Sequence, residues 1–328
     1  MDKELDVISI ENTLMDILIQ VDDAHLAEFN LKKGSFHLIE EEKANQILQK
    51  FEHQKPKLTP AGSGANTIMG IANLGGKCIL VGRVGKDPHG NMYEDIITKD
   101  KIHPRLIRCD KSGTGRCFSF ITPDAERTFA VHLGAAVNLE KENILDEDIK
   151  KSKILHLTGY MLESPNLREI AVHAMEVAKE NEVIISMDLA DAHLIRRCKE
   201  DLWSMVKKYV NIIFVNEGEA EAFTDEKDPL DALKRLAAHC DIAIVKLGPK
   251  GSLIKSKNEI FHIQAYKTKV IDTTGAGDLY AAGFLWSYLQ KKPLELCGKI
   301  GSFLAARVIS QIGARIEQSM IDLVNKIE

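Results

Sequence analysis

Short, unbroken aliphatic runs alternate with amphipathic segments along most of this chain, and few folds accommodate that rhythm. The runs at 77–84, 153–157, 183–188, 211–216 and 241–247 are β-branched or aliphatic and of strand length. Helical patterns occupy 65–74, 167–180, 201–209, 218–223, 230–240 and 279–290. Strands apolar on both faces and separated by helices predict an α/β fold, a three-layer α/β/α sandwich around a mainly parallel sheet. A length of 328 residues allows two domains or one large α/β unit, and 45% apolar residues supply a sizeable core.

Two regions break the rhythm. Residues 116–122 and 127–133 flank the turn Pro123-Asp124-Ala125-Glu126 and read as a β-hairpin. Strand-like segments at 6–10 and 16–21 precede a polar helix at 40–51, and Pro56 and Pro60 close that stretch. Strands without crossover helices are expected outside the parallel sheet, in a small β lid over one edge. A second hairpin, 251–255 with 259–263, is expected at an antiparallel margin.

Composition excludes several classes. A net charge of −5 gives no electrostatic case for nucleic acid or an anionic membrane as partner. The first six residues are too charged for a signal peptide, and the uncharged stretch 279–290 is too short for a span. Six cysteines at irregular spacings, without a C-x-x-C pair, read as buried thiols rather than a disulfide framework or zinc site, and no H-E-x-x-H is present. The expectation is a cytoplasmic protein, monomeric or homodimeric.

The chemistry concentrates in Asp272-Thr273-Thr274-Gly275-Ala276-Gly277-Asp278, which runs directly into an apolar helix. Small residues let the backbone approach a ligand, and the helix start aims unpaired N–H groups at it. With the helix dipole these donors form an anion site, and Asp278 in the first turn would face the same volume. A glycine-rich lead-in with a carboxylate complementing the dipole is the plainer reading of the same residues. No G-K-[ST] follows, so this is not a Walker loop, and its place near the C-terminus does not fit a dinucleotide fingerprint.

This run resembles the second signature of the ribokinase-like (PfkB) family of carbohydrate and nucleoside kinases. The likeness covers nearly the whole chain. Ala61-Gly62-Ser63-Gly64-Ala65-Asn66-Thr67 with Gly75-Gly76 is similar to the first signature, and Gly85-Lys86-Asp87-Pro88-His89-Gly90 to its G-x-D-x-x-G turn. Asn216-Glu217-Gly218-Glu219 matches N-x-x-E, and Gly248-Pro249-Lys250-Gly251 matches the G-x-x-G nucleotide loop. The resemblance implies ATP as phosphate donor and Mg²⁺ as cofactor. Asp278 becomes the base, Gly275, Ala276 and Gly277 the anion hole beside Thr274, and Asn216 and Glu219 the metal-placing pair. Gly248, Gly251, Thr274, Asn216 and Lys246 fall to ATP; Lys246 touches a phosphate or snorkels from a strand end. The lid is drawn from about 11–60 and 113–134, and the large domain from 61–112 and 135–328.

Within the family, Asn12-Thr13-Leu14-Met15-Asp16, Leu31-Lys32-Lys33-Gly34, Gly62, Ser63 and Asn66 resemble the adenosine kinase branch. There the matching residues hold ribose hydroxyls, and Tyr160 matches a pocket aromatic. Phe36 and His193 depart from that branch at base-contacting positions. Residues around Arg116 and Arg127 also resemble inosine–guanosine kinases; Arg127 aligns with a lid arginine that reaches the phosphates, while a hairpin ion pair with Glu126 or Asp124 is the simpler role. The expected activity is phosphorylation of a primary hydroxyl, foremost the 5′-hydroxyl of a purine nucleoside. A fructose- or ribose-like sugar, a non-catalytic nucleotide-binding module and a dinucleotide oxidoreductase are the competing readings.

Overall fold

A computed structural model describes residues 3–124, 126–162 and 164–327. Ala125, in the expected hairpin turn, lies outside the described residues. In chain order the strands are β1 (Leu5–Ile10), β2 (Leu14–Gln20), β3 (Phe36–Leu38), β4 (Lys57–Ala61), β5 (Cys78–Gly85), β6 (His103–Cys109) and β7 (Gly115–Ile121). They continue with β8 (Arg127–His132), β9 (Ser152–Thr158), β10 (Ile184–Asp188), β11 (Ile212–Asn216), β12 (Ile242–Lys246), β13 (Ser252–Ser256) and β14 (Glu259–Ile263).

They form two sheets. The nine-stranded one has the order β14-β13-β12-β11-β10-β9-β1-β5-β6. From β6 to β12 every pairing is parallel, and β13 and β14 add the expected antiparallel margin. Helices Pro165–Glu180, Ala192–Tyr209, Glu217–Thr224 and Pro229–Ala237 pack on one face around Leu155, Leu157, Met187 and Val245. Helices Ser63–Asn73, Ala276–Leu289 and Leu294–Val308 cover the other, around Ile154, Phe214 and Ile244. The α/β/α sandwich expected from the alternating pattern is what forms.

One expectation fails. Residues 6–10 belong to β1, which lies in the middle of the large sheet and pairs with both β5 and β9. Its crossover to β5 exists but is long: it runs through β2, β4 and helix Ser63–Asn73, so the chain leaves the sheet, builds part of the lid and returns. The parallel pairing of β1 with β5 is reached by a detour that local pattern does not reveal.

The second sheet has the order β3-β8-β7-β2-β4. Hairpin β7–β8 is antiparallel as expected. One face of this sheet carries the larger core: Ile17, Ile19, Phe118, Phe120 and Ala130 pack against Ala44, Ile47 and Phe51 of helix Glu41–Phe51, while a small cluster of Leu14, Val131 and Ala136 lies on the other. The period-2 alternation turns Leu14, Asp16, Cys117, Ser119, Phe129 and Val131 to the other face, which looks into a cavity. No described helix is long and apolar enough to cross a membrane.

Candidate active site

The carboxyl ends of the large sheet's central strands converge beneath the open face of the lid sheet. Glu11 and Asn12 follow β1, Tyr160 follows β9, and Asp188, Asn216 and Lys246 end β10, β11 and β12. Ligand sites in open α/β sheets lie at this edge because loops there are free to vary while strands fix their roots.

Helix Ala276–Leu289 begins at Gly275, whose φ of 76° is left-handed and whose added Cβ would meet Ala314 Cβ at 2.6 Å. Both facts require glycine. The turn it opens is a wall shared by two cavities. Thr274 and Asp278 line one of about 220 Å³, and Ala276 and Gly277 line one of about 720 Å³.

Asp278 is oriented by helix Ser63–Asn73. Ser63 Oγ donates to Asp278 Oδ1 at 2.7 Å and Asn66 Nδ2 donates to Oδ2 at 2.8 Å. Burial pushes its carboxyl up to about 6, against the pull of those two donors. A fixed carboxylate poised just below neutrality is suited to accept a proton from an alcohol.

The smaller cavity collects Asn12, Asp16, Gly62, Ser63, Asn66, Tyr160 and Asp278, together with Phe36. Asn12 Nδ2 donates to the Tyr160 carbonyl at 3.4 Å, yet Asn12 Oδ1 and Asn66 Oδ1 are buried with no protein partner. Buried acceptors normally find donors, so these two oxygens leave accepting positions open to a ligand or water. Ser119 Oγ donates to Asp16 Oδ1 at 2.5 Å, and burial lifts that carboxyl to about 6 despite Ser119 and the nearby Arg127. Around these polar groups stand Leu14, Leu38, Phe129, Val131 and Leu133. Phe36 and Tyr160 stack at 6.4 Å across the rim. His193 is exposed and does not line the cavity.

The larger cavity is lined by Lys246, Gly248, Gly251, Ala276 and Gly277, with Tyr266, Val270 and Ile309 as apolar walls. Asn216 and Glu219 sit beside it rather than on its surface and form a reciprocal cap of helix Glu217–Thr224. Asn216 Oδ1 accepts from Glu219 N at 2.9 Å while Glu219 Oε2 accepts from Asn216 N at 2.8 Å. Glu219 is raised to about 7, first by burial and next by Asp188 against the opposing pull of Lys246.

Mg²⁺ takes oxygen ligands, keeps several waters, and is bound through one or two carboxylates plus substrate phosphates. Among the described residues no cluster of three His, Cys, Asp or Glu would cage an ion unaided. The carboxylate of Glu219 close to a glycine-walled cavity fits an ion held chiefly by phosphate and water.

Two arginines behave differently from expectation. Arg116 lies on the core-side alternation of β7 and donates from Nη1 to Asn45 Oδ1 at 2.9 Å, not to Glu126 or Asp124. Arg127 lines neither cavity: its Nη2 donates to Asp272 Oδ2 at 2.5 Å, and Nη1 is buried without a partner. Asp272 also accepts from Thr274 N at 3.0 Å and Gly313 N at 2.6 Å. Arg127 therefore ties the lid to the first residue of the glycine-rich turn.

Sequence reasoning missed Glu11 and Asp188. Glu11 is 2% exposed and accepts from Asn12 N at 2.8 Å, Gly64 N at 2.6 Å and Thr158 Oγ1 at 3.2 Å. It pins the end of β1 to the start of helix Ser63–Asn73, and burial raises it to about 7. An acidic residue at the end of an apolar strand was the available signal in both cases.

The pfkB family carbohydrate kinase profile matches residues 36–320. Bacillus subtilis 5-dehydro-2-deoxygluconokinase is 28% identical over 261 residues, covering 76% of this chain and 80% of that protein. A probable sugar kinase from Rhizobium etli CFN 42 superimposes with a TM-score of 0.92 at 31% identity, over 100% of this chain and 99% of that one. Adenosine kinase from Sinorhizobium meliloti gives 0.91 at 32% identity, over 99% and 100%. With a matching profile over most of its length and kinases as relatives in sequence and fold, this chain belongs to the pfkB family of carbohydrate kinases.

Proposed function

We propose that this kinase transfers the terminal phosphoryl group of ATP to the 5′-hydroxyl of a purine nucleoside. The observation that carries the nucleoside is the composition of the smaller cavity. It sets hydroxyl-reading groups (Asn12, Asp16, Asn66) against an apolar wall that includes stacked Phe36 and Tyr160. A ribose uses the first set, and a flat base uses the second. A free sugar leaves most of the apolar wall without a partner.

The proposed reaction needs little covalent chemistry from the protein. Asp16 accepts hydrogen bonds from the vicinal hydroxyls, and the orphaned oxygens of Asn12 and Asn66 take further ones. That grip fixes the primary hydroxyl at Asp278, which accepts its proton as the oxygen attacks the phosphorus. The backbone N–H groups of Gly275, Ala276 and Gly277 hold charge on the migrating phosphoryl group. Gly248 and Gly251 let the nucleotide lie close to the sheet. Mg²⁺, when bound with the nucleotide, neutralises phosphate charge; Glu219 and Asn216 would hold it through water. Alignment and charge stabilisation supply most of the acceleration for this reaction class.

The test is a coupled ADP-release assay over adenosine, inosine, guanosine, ribose, fructose and keto-sugar acids. A purine nucleoside is expected to exceed every free sugar in kcat/KM by at least ~10-fold, the value of one base stack. Turnover of a free sugar with none of a nucleoside would assign the cavity to sugars, as the names of the sugar-kinase relatives suggest for those proteins.

A further inference from the structure

Helix Ser63–Asn73 begins without a cap of its own. Its N-cap is Gly62, which has no side chain to accept from the first N–H groups. The acceptor comes instead from Glu11, at the end of β1 and distant in sequence. Glu11 Oε2 accepts from Gly64 N at 2.6 Å and from Thr158 Oγ1 at 3.2 Å, while Oε1 accepts from Asn12 N at 2.8 Å. One carboxylate therefore joins the ends of β1 and β9 to the first turn of the helix. Position 64 makes room for it, because a Cβ there would strike Glu11 Oε2 and come within 2.8 Å of Ser9 Oγ.

That first turn carries the donors of Asp278. Ser63 and Asn66 hold its two carboxylate oxygens, and Thr67 Oγ1 donates to its backbone carbonyl at 3.3 Å. Gly64 lies between Ser63 and Asn66, so any shift at the Glu11 contact moves these donors together. A neutral Ser or Asn cap would satisfy Gly64 N without burying an acid, but it would not reach Asn12 N and Thr158 as well. Glu11 lines the smaller cavity yet is 2% exposed, and three protein donors already occupy its oxygens. It is committed to the protein and not to a ligand. Burial raises its carboxyl and the charge of Asp278 adds to that, which places the two acids within one electrostatic neighbourhood.

We infer that Glu11 is a positioning residue for phosphoryl transfer: it fixes the start of helix Ser63–Asn73 against β1 and β9, and through Ser63 and Asn66 it fixes Asp278. The inference rests on the proposed reading of Asp278 as the base. It makes a side chain with no role in holding either substrate a determinant of turnover.

The experiment is a double-mutant cycle in kcat over wild type, Glu11→Gln, Asp278→Asn and Glu11→Gln/Asp278→Asn, with titration of ADP into each. It is run on whichever acceptor wild type phosphorylates. Glu11→Gln keeps the size but offers one acceptor oxygen to three donors. Its kcat is expected to fall at least ~10-fold through misplacement of the base. In the Asp278→Asn background the same change should cost no more than ~2-fold, because residues that act as a unit are not additive. ADP affinity should not change, since Glu11 does not line the larger cavity. Glu11→Asp keeps the charge with a reach shorter by one methylene, and it reports in the same cycle if the glutamine variant does not fold. Losses that add in the two backgrounds show a general structural role and overturn the inference, as does unchanged kcat in the glutamine variant. Full turnover by Asp278→Asn overturns it together with the base assignment. A free sugar as the only acceptor of wild type corrects the proposed substrate, and the cycle on that sugar still decides the role of Glu11.

Discussion

In the nine-stranded sheet the inner strands are buried on both faces: Ile8, Leu155 and Ile213 point to one helical layer and Val7, Ile154 and Phe214 to the other. In the five-stranded sheet one face carries Ile17, Phe118 and Phe120 into a small core, and the other presents Asp16, Ser119 and Phe129 to a cavity. The first arrangement leaves no face for a ligand, so the proposed chemistry is confined to strand ends and one helix start. The second leaves a face open to a cavity, so the proposed recognition spreads along strands. On this proposal rigid support goes with reaction, and an open face goes with selection.

Substitutions on the two sides of the site should therefore fail in different ways. The largest effect belongs to the large sheet's side. Asp278→Asn should lower turnover by at least ~10²-fold through loss of the base. Nucleotide affinity should hardly change in the same variant, because the carboxylate lines the other cavity. Steady-state kinetics with a binding titration checks this, and retained turnover would remove Asp278 from the mechanism.

The join between the regions comes next. Arg127→Gln leaves Asp272, 5% exposed, without its cation. Breaking a buried pair costs about 3–5 kcal/mol, and the two backbone donors on Asp272 place this case at the lower end. Denaturant unfolding should show the loss, with faster proteolysis of hairpin β7–β8. An unchanged midpoint and unchanged proteolysis would mean the lid is not tethered there.

Phe36→Ala tests selection alone. At 43% exposure the ring contributes little to stability, which should stay within about 0.5 kcal/mol. KM for a nucleoside should rise ~10-fold or more, since a base stack is worth about 1–3 kcal/mol, with kcat nearly unchanged. A fall in kcat at constant KM would break the division between the two regions.

The remaining effect is on stability against pH. Burial raises Glu11 and Glu219 to about 7 and Asp16 and Asp278 to about 6, above their unfolded values near 4. The folded protein holds these protons more tightly than the unfolded chain. Their stabilisation is complete below about pH 4 and is lost as pH rises through 6 to 7. Melting temperature should therefore fall between pH 5.5 and pH 8, while the kcat/KM profile declines below about pH 6 as Asp278 takes up a proton. A melting temperature that climbs over the same interval would contradict these assignments.

What could be read from the chain follows the same division. The two-face burial of the large sheet writes itself as continuous apolar runs, so β5, β9, β10, β11 and β12 were visible. Strand β6, His103–Cys109, is an edge strand with a proline and two arginines, and its half-buried surface carries no such run. Helix Leu294–Val308 was hidden by Gly298 and Gly301, which look like breakers. They permit close packing: a Cβ on Gly301 would lie 2.7 Å from the Tyr280 carbonyl of the neighbouring helix. Strand β4 was hidden by Pro60, which an edge position tolerates. In the site, the glycine-rich turn and Asp278 stood out because a special backbone demands special residues. Glu11 and Asp188 did not, since the partners that place them, Gly64 and Lys246, are more than fifty residues away and only the fold brings them together.

The two cavities share the turn Thr273–Asp278 as a wall, and the proposal is that a hydroxyl held in one is phosphorylated from the other. Phosphorus NMR of the product formed by wild-type enzyme from ATP and a purine nucleoside tests it directly. A single new ester on the 5′-oxygen of the ribose is expected. A phosphate on a 2′- or 3′-oxygen, or none on any nucleoside beside a phosphorylated free sugar, would contradict it.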